Sequence, residues 1–120
     1  MGTLVTGTAA TYVEELWVNT DKRYQIMCIT RDVQNIVKQS GITDGIVLVN
    51  PMHITASCYV NDLESGLHHD IMNWLGKLAP FYGADGKDGE EYHHHRTGED
   101  NGDAHLKRQL LLLHKLCIEP

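Results

Sequence analysis

Histidines and carboxylates are concentrated in one part of this 120-residue sequence. All of the histidines except His114 fall within residues 53–105. The acidic side chains among them include Asp70, Glu90, Glu91, Glu99, Asp100 and Asp103. Imidazole and carboxylate groups together can bind a divalent cation or transfer protons. The alternative is a hydrated, histidine-rich surface loop.

Three histidines could form one metal site if folding brings them together. His53 follows a predicted strand, His94 lies in a predicted loop, and His105 lies near the start of a predicted helix. Three imidazoles from three elements would make an open zinc site with water in the fourth position. The spacing contains no HExxH signature, so a structural role for these histidines stays open. Of the three rings in residues 93–95, at most two can face one centre, and we expect the others to face solvent.

Other polar residues allow two interpretations each. Asp70 could orient a ligating histidine, or it could be a solvated acid near a helix start. Lys107 and Arg108 could neutralise a phosphate on the first turns of a helix, or face solvent. GxSxG, GxGxxG and P-loop motifs are all missing, so these routes to hydrolysis or nucleotide binding have no sequence support.

Composition predicts one soluble domain over residues 1–120. Hydrophobic residues make up 42% and charged residues 22%, and the net charge is −6 at pH 7. This acidic balance argues against a nucleic-acid partner. No apolar run approaches the ~20 residues of a membrane span, and no signal peptide is visible. Three widely spaced cysteines without a CxxC motif indicate a reduced, cytoplasmic compartment, with Cys28 and Cys58 expected in the core.

The hydrophobic pattern predicts an α+β fold. Strands are expected at residues 12–18, 24–29, 46–49 and 54–60, with a further possible strand at 116–118. Helices are expected after the N-cap residues Thr30 and Ser65 and over residues 103–112. We expect residues 1–10 to be mobile and residues 81–102 to form a long loop rich in histidine and acidic residues.

Several segments carry a family resemblance that covers residues 14–112. They read ELWVNT (15–20), GIVLVNPMHITAS (45–57), VND (60–62), ESGLH (64–68), YHH (92–94) and DAHLK (103–107). In this order they resemble the YjbQ family, whose members are called secondary thiamine-phosphate synthases.

The resemblance implies a mixed, mostly antiparallel sheet with three helices, and a homotrimer. It also implies a divalent metal, zinc or alternatively magnesium, held by His53, His94 and His105. Polar family positions match Asn61, Asp70 and Asp103, which become candidate catalytic residues.

The implied activity joins a pyrimidine diphosphate to a thiazole phosphate, both of them small phosphorylated substrates. Such a reaction would need a metal or cations to stabilise the departing diphosphate. Two alternatives remain: a non-catalytic or degenerate paralogue that binds a metal or ligand, and a zinc-dependent hydrolase.

The end of the chain departs from the family pattern. Relatives continue through a tryptophan-containing segment that adds strands, whereas this sequence reads LLLHKLCIEP (111–120). We therefore expect a truncated or altered end that leaves a sheet edge unpaired and makes independent stability and assembly doubtful.

Overall fold

The computed structural model describes residues 2–82, 92–111 and 116–118. Its contacts divide the chain into two compact units, Met1–Val47 with Cys117–Pro120, and Leu48–Leu116. The organisation as one domain stays a prediction. Among the described helices, none is long and apolar enough to cross a lipid bilayer.

The first unit contains helix α1 (Thr30–Ser40). Its half-buried side chains Val33, Ile36 and Val37 repeat at helical spacing, as the sequence predicts. The residue preceding the helix is Ile29, which makes no side-chain cap, so the expected capping by Thr30 is wrong. Gly41 ends the helix in the left-handed conformation, with φ of 67°, and its N–H donates to the Lys38 carbonyl.

Strand β1 (Gly45–Val47) pairs with β2 (Leu116–Ile118) in a two-stranded sheet. The longer central strand expected at residues 46–49 is not formed. The continuous apolar run at residues 46–49 predicts a strand buried on both faces, but Ile46 is 66% exposed, so this prediction is wrong. In the described part of the chain, β1 has β2 as its only hydrogen-bonded neighbour.

The strands predicted at residues 12–18 and 24–29, which together would make an antiparallel hairpin, are not formed, since residues 12–29 contain no strand. Bends occupy residues 21–24, where the Gln25 side chain accepts a hydrogen bond from the Asp21 N–H. Trp17 is 87% exposed. A strand depends on cross-strand hydrogen bonds and a covered apolar face, and this segment has neither. The expected mixed, mostly antiparallel sheet is therefore not found among the described residues.

The second unit contains α2 (Ser65–Leu78), a 3-10 helix (His93–Thr97) and α3 (Gly102–Leu110). All three predicted α-helices of the chain are thus confirmed. The strand expected at residues 54–60 is not formed, and a turn joins the Ala56 N–H to the His53 carbonyl. The predicted loop 81–102 contains the 3-10 helix, and its residues 83–91 lie outside the described residues.

The end of α2 holds the fully buried apolar side chains of the described structure. Leu75 is 2% exposed and Ala79 is 1% exposed. The Ala79 N–H donates to the Leu75 carbonyl and closes the last turn, and Pro80 follows immediately. Tyr92, which precedes the 3-10 helix, is held near this point because its hydroxyl donates to the Pro80 carbonyl at 2.7 Å.

Candidate metal centre

Two short helices hold the histidines of the candidate site. The 3-10 helix ends at Gly98, which adopts φ of 87° and donates its N–H to the His95 carbonyl. This left-handed glycine reverses the chain and is followed at once by Glu99. The carbonyl of Asn101 then accepts hydrogen bonds from the N–H groups of Ala104 and His105, which begins α3. The two turns bring the side chains of His94, Glu99 and His105 to one place.

His94, Glu99 and His105 form a group with metal-binding geometry. Each offers one ligand atom, and these atoms all lie within 4.8 Å of one another. The His94 Nε2 atom lies 3.2 Å from the Glu99 Oε2 atom. The imidazole rings of His94 and His105 meet edge to face, with centroids 4.7 Å apart.

These separations suit a small divalent ion. Ligand atoms arranged as a tetrahedron about one zinc ion at ~2.1 Å would lie about 3.4 Å apart. The His94–Glu99 pair is close to this separation at 3.2 Å, and any wider pair, up to the 4.8 Å limit of the group, would have to close on a bound ion. Two imidazoles and one carboxylate are also a donor set that catalytic zinc sites use. The three residues therefore fit a divalent metal.

The Nε2 atom of His105 gives a second, independent observation in favour of a bound ligand. It is buried and has no hydrogen-bond partner among the described residues. A buried polar atom without a partner is costly, by about 1–3 kcal/mol, and calls for a binding partner. Neither His94 nor Glu99 is buried, so the group lies at the surface with one shielded ligand.

A cleft of about 370 Å³ opens beside the group. It is lined by Tyr92, His93, His94, Gly102, His105 and Leu106. Two of the three candidate ligands thus face the cleft, so a bound ion would be accessible to a further small ligand.

The structure unites two of the three histidines that the resemblance suggested. His94 and His105 belong to the group, whereas His53 does not, and Glu99 contributes the third ligand. His53 is exposed, and its Nδ1 accepts a hydrogen bond from the Thr55 N–H. Its assignment as a metal ligand stays a prediction. The sequence signal for Glu99 was a carboxylate directly after Gly98, a residue able to reverse the chain.

The three candidate catalytic residues lie elsewhere. Asn61 and Asp70 are exposed, and neither lines the cleft. Asp103 is fully buried and accepts a hydrogen bond from the Lys107 ammonium group. Arg108 donates from Nε to the Ala56 carbonyl at 2.9 Å. Lys107 and Arg108 are therefore both hydrogen-bonded within the protein, and the interpretation that they simply face solvent is wrong. The catalytic roles of Asn61, Asp70 and Asp103 stay predictions.

His95 also departs from expectation. It is 8% exposed rather than facing solvent, and its Nε2 accepts a hydrogen bond from the Gly102 N–H at 3.3 Å. Cys28, expected in the core, is exposed, while Cys58 is half-buried. Burial raises the pKa of the Cys58 thiol.

Comparison with known proteins identifies extensive sequence similarity. The family described as "UPF0047 protein YjbQ-like" matches residues 14–118. A UPF0047 protein of Archaeoglobus fulgidus is 39% identical over 97 residues, which make up 81% of this chain and 68% of that protein. A UPF0047 protein of Methanothermobacter thermautotrophicus is 32% identical over 100 residues, or 83% of this chain and 64% of that protein. The UPF0047 protein YugU of Bacillus subtilis is 27% identical over 96 residues, or 79% of this chain and 66% of that protein. The chain thus spans about two thirds of the length of these relatives.

These names overturn the activity expected from the resemblance. The relatives are named only as UPF0047 proteins, and none of these three names is that of a thiamine-phosphate synthase. The assignment of this chain as a thiamine-phosphate synthase is therefore wrong. The names give no support to a zinc-dependent hydrolase or a degenerate paralogue either. The homotrimer, the phosphorylated substrate and the cytoplasmic location remain predictions.

Proposed function

Because this chain belongs to the UPF0047 family of YjbQ-like proteins, and because three of its side chains converge with suitable geometry, we propose that it binds a divalent metal ion. The ligands would be His94, Glu99 and His105. The observation that carries the proposal is the convergence of their three ligand atoms within 4.8 Å.

The donor set favours zinc over magnesium. Magnesium prefers six oxygen ligands in a near-ideal octahedron, and two imidazoles are poor substitutes for oxygen. Zinc accepts imidazole and carboxylate together and tolerates three protein ligands with one open position. The cleft beside His94 and His105 is where a fourth ligand would enter.

The surroundings of the group also favour an ion over a simple surface salt bridge. An exposed pair such as His94 and Glu99 gains only ~0–1 kcal/mol by itself. His105, however, has a buried Nε2 atom without a described partner, and its ring packs against the ring of His94. A metal ion would bind this nitrogen and compensate for its burial.

The test is zinc binding by the full 120-residue chain, measured by competition with a chromophoric chelator. The expected result is one zinc ion per chain, with affinity reduced at least about tenfold in each of His94→Ala, Glu99→Gln and His105→Ala. His69→Ala is the matched control, because His69 Nε2 is hydrogen-bonded to Asn73 on α2 and lies outside the group. Equal zinc affinity in His105→Ala and the unmodified chain would refute the proposed site. His53→Ala, measured alongside, decides whether His53 contributes.

A further inference from the structure

His95 lies between the two segments that carry the candidate ligands. It belongs to the 3-10 helix directly after His94, and it is buried. Its Nε2 accepts the N–H of Gly102, the first residue of α3. His105 lies three residues further along the same helix. One hydrogen bond therefore connects the segment of one histidine ligand to the segment of the other.

Tyr92 completes the connection. Its ring contacts the ring of His95 edge to face, with centroids 5.5 Å apart and planes at 75°. It also contacts Tyr82, with centroids 5.3 Å apart, and donates its hydroxyl proton to the Pro80 carbonyl. The His95 ring is thus held by aromatic packing on one edge and by the Gly102 N–H on another.

Gly102 is tightly enclosed at this contact. A Cβ atom placed on Gly102 would lie 2.8 Å from Tyr92 Cβ and 2.9 Å from its Cγ. Atoms at that distance would overlap, so α3 could not approach Tyr92 as closely if this residue had a side chain. Tyr92, His95 and Gly102 together form what we term the aromatic anchor, which fixes α3 against the 3-10 helix.

The hydrogen bond from Gly102 also defines the chemistry of His95. The Nε2 atom uses its lone pair to accept this N–H, and a metal ion would need the same lone pair. Nε2 is committed to the backbone and is not available as a metal ligand. His95 therefore differs from its neighbour His94, although both are histidines on the same short helix.

We propose that His95 is a positioning residue of the metal centre: by accepting the Gly102 N–H it sets the separation of His94 and His105. The inference depends on the proposed metal binding and adds which residue makes the site rigid. Metal sites need ligands held within about 0.5 Å, and loss of a supporting hydrogen bond typically weakens metal affinity 10–100-fold.

The test compares two amide replacements of similar polarity. In His95→Gln the side-chain amide reaches the position of Nε2 and can accept from Gly102, whereas in His95→Asn it reaches only the position of Nδ1. We expect zinc affinity within about threefold of the unmodified chain for His95→Gln, and about tenfold or more weaker for His95→Asn. Visible absorption of the cobalt-loaded chain should change in energy and intensity for His95→Asn only, because these bands report ligand geometry.

The outcomes separate the two proposals. If the unmodified chain binds no zinc, or if His105→Ala binds it equally well, the metal site itself is refuted. If the metal site holds but His95→Asn matches His95→Gln in affinity and cobalt spectrum, the positioning role is refuted. A variant with a lower unfolding temperature is measured where circular dichroism shows that it is folded. A loss of stability is then not mistaken for a change in the arrangement of the metal ligands.

Discussion

The carboxylate of Asp103, fully buried, accepts a hydrogen bond from the ammonium group of Lys107 one helical turn later in α3. Lys107 is itself only 7% exposed. Burying such a pair costs desolvation energy. Replacing only one of the two residues destabilises the fold, because the other charge then stays buried without it. The pair flanks His105, so it supports the helix that presents a candidate ligand.

The Asp103–Lys107 pair should show strong energetic coupling. We expect Asp103→Leu or Lys107→Met alone to lower the free energy of unfolding by about 3–5 kcal/mol, because each removes one of the two opposite charges of a buried pair. The double variant should be less destabilised than the sum of the two. Urea denaturation of all four proteins measures the coupling. Additive single effects would mean that the two charges do not interact in solution.

Gly102 and Gly76 should respond in opposite directions to the same substitution. A methyl group on Gly102 would overlap Tyr92, so Gly102→Ala should destabilise the chain by about 1–3 kcal/mol. Nothing lies within 4 Å of a Cβ on Gly76, which is inside α2. Gly76→Ala should therefore stabilise by about 0.5–1 kcal/mol through reduced chain entropy.

Thermal unfolding followed by circular dichroism distinguishes the two glycine variants. Zinc affinity adds a second measurement, since displacement of α3 in Gly102→Ala should also weaken the candidate site. A Gly102→Ala protein as stable as the unmodified chain would show that Tyr92 can move away without cost, and the aromatic anchor would then not be rigid.

Helix ends were predictable from sequence where the signal is local. Gly41 closes α1 because only glycine adopts a positive φ without strain, and Pro80 follows the end of α2 because a proline restricts the residue before it. The cap of α2 shows the limit of such rules. The sequence suggested Ser65, yet the Glu64 carboxylate accepts both the Gly66 and Leu67 N–H groups at 2.7 Å.

The strands and the third metal ligand were not predictable, because both depend on distant parts of the chain. Alternation in residues 12–29 indicates a strand only if a neighbouring strand and a covering layer exist, and neither is present in the described residues. His94 and His105 were candidates from their positions in the sequence, and the resemblance suggested them as well. Glu99 was missed because it reaches His94 and His105 only through the turn at Gly98. The spacing of these residues in the sequence does not reveal that turn.

The Glu64 cap makes the stability of α2 depend on pH. Hydrogen bonds from Gly66 and then Leu67 lower the pKa of Glu64 below its usual 4.5. A lowered folded-state pKa means that the stabilisation is fully present above about pH 4.5 and is lost as the pH falls through the folded value. Unfolding midpoints from pH 7 to pH 3 should therefore fall more steeply for the unmodified chain than for Glu64→Gln. Parallel pH profiles for the two proteins would show that the carboxylate does not cap the helix.

Cys28 should be the more reactive of the two cysteines whose thiol environments are described. Cys28 is exposed, and a hydrogen bond to the Thr30 hydroxyl is the main cause that lowers its pKa from 9.0. Burial instead raises the pKa of Cys58. Because the thiolate is the nucleophile, Cys28 should react with a disulfide reagent at pH 8 about tenfold faster than Cys58, measured by mass spectrometry in a Cys117→Ser background. Thr30→Val should slow Cys28 and leave Cys58 unchanged. Equal rates for Cys28 before and after that substitution would show that the hydroxyl does not stabilise the thiolate.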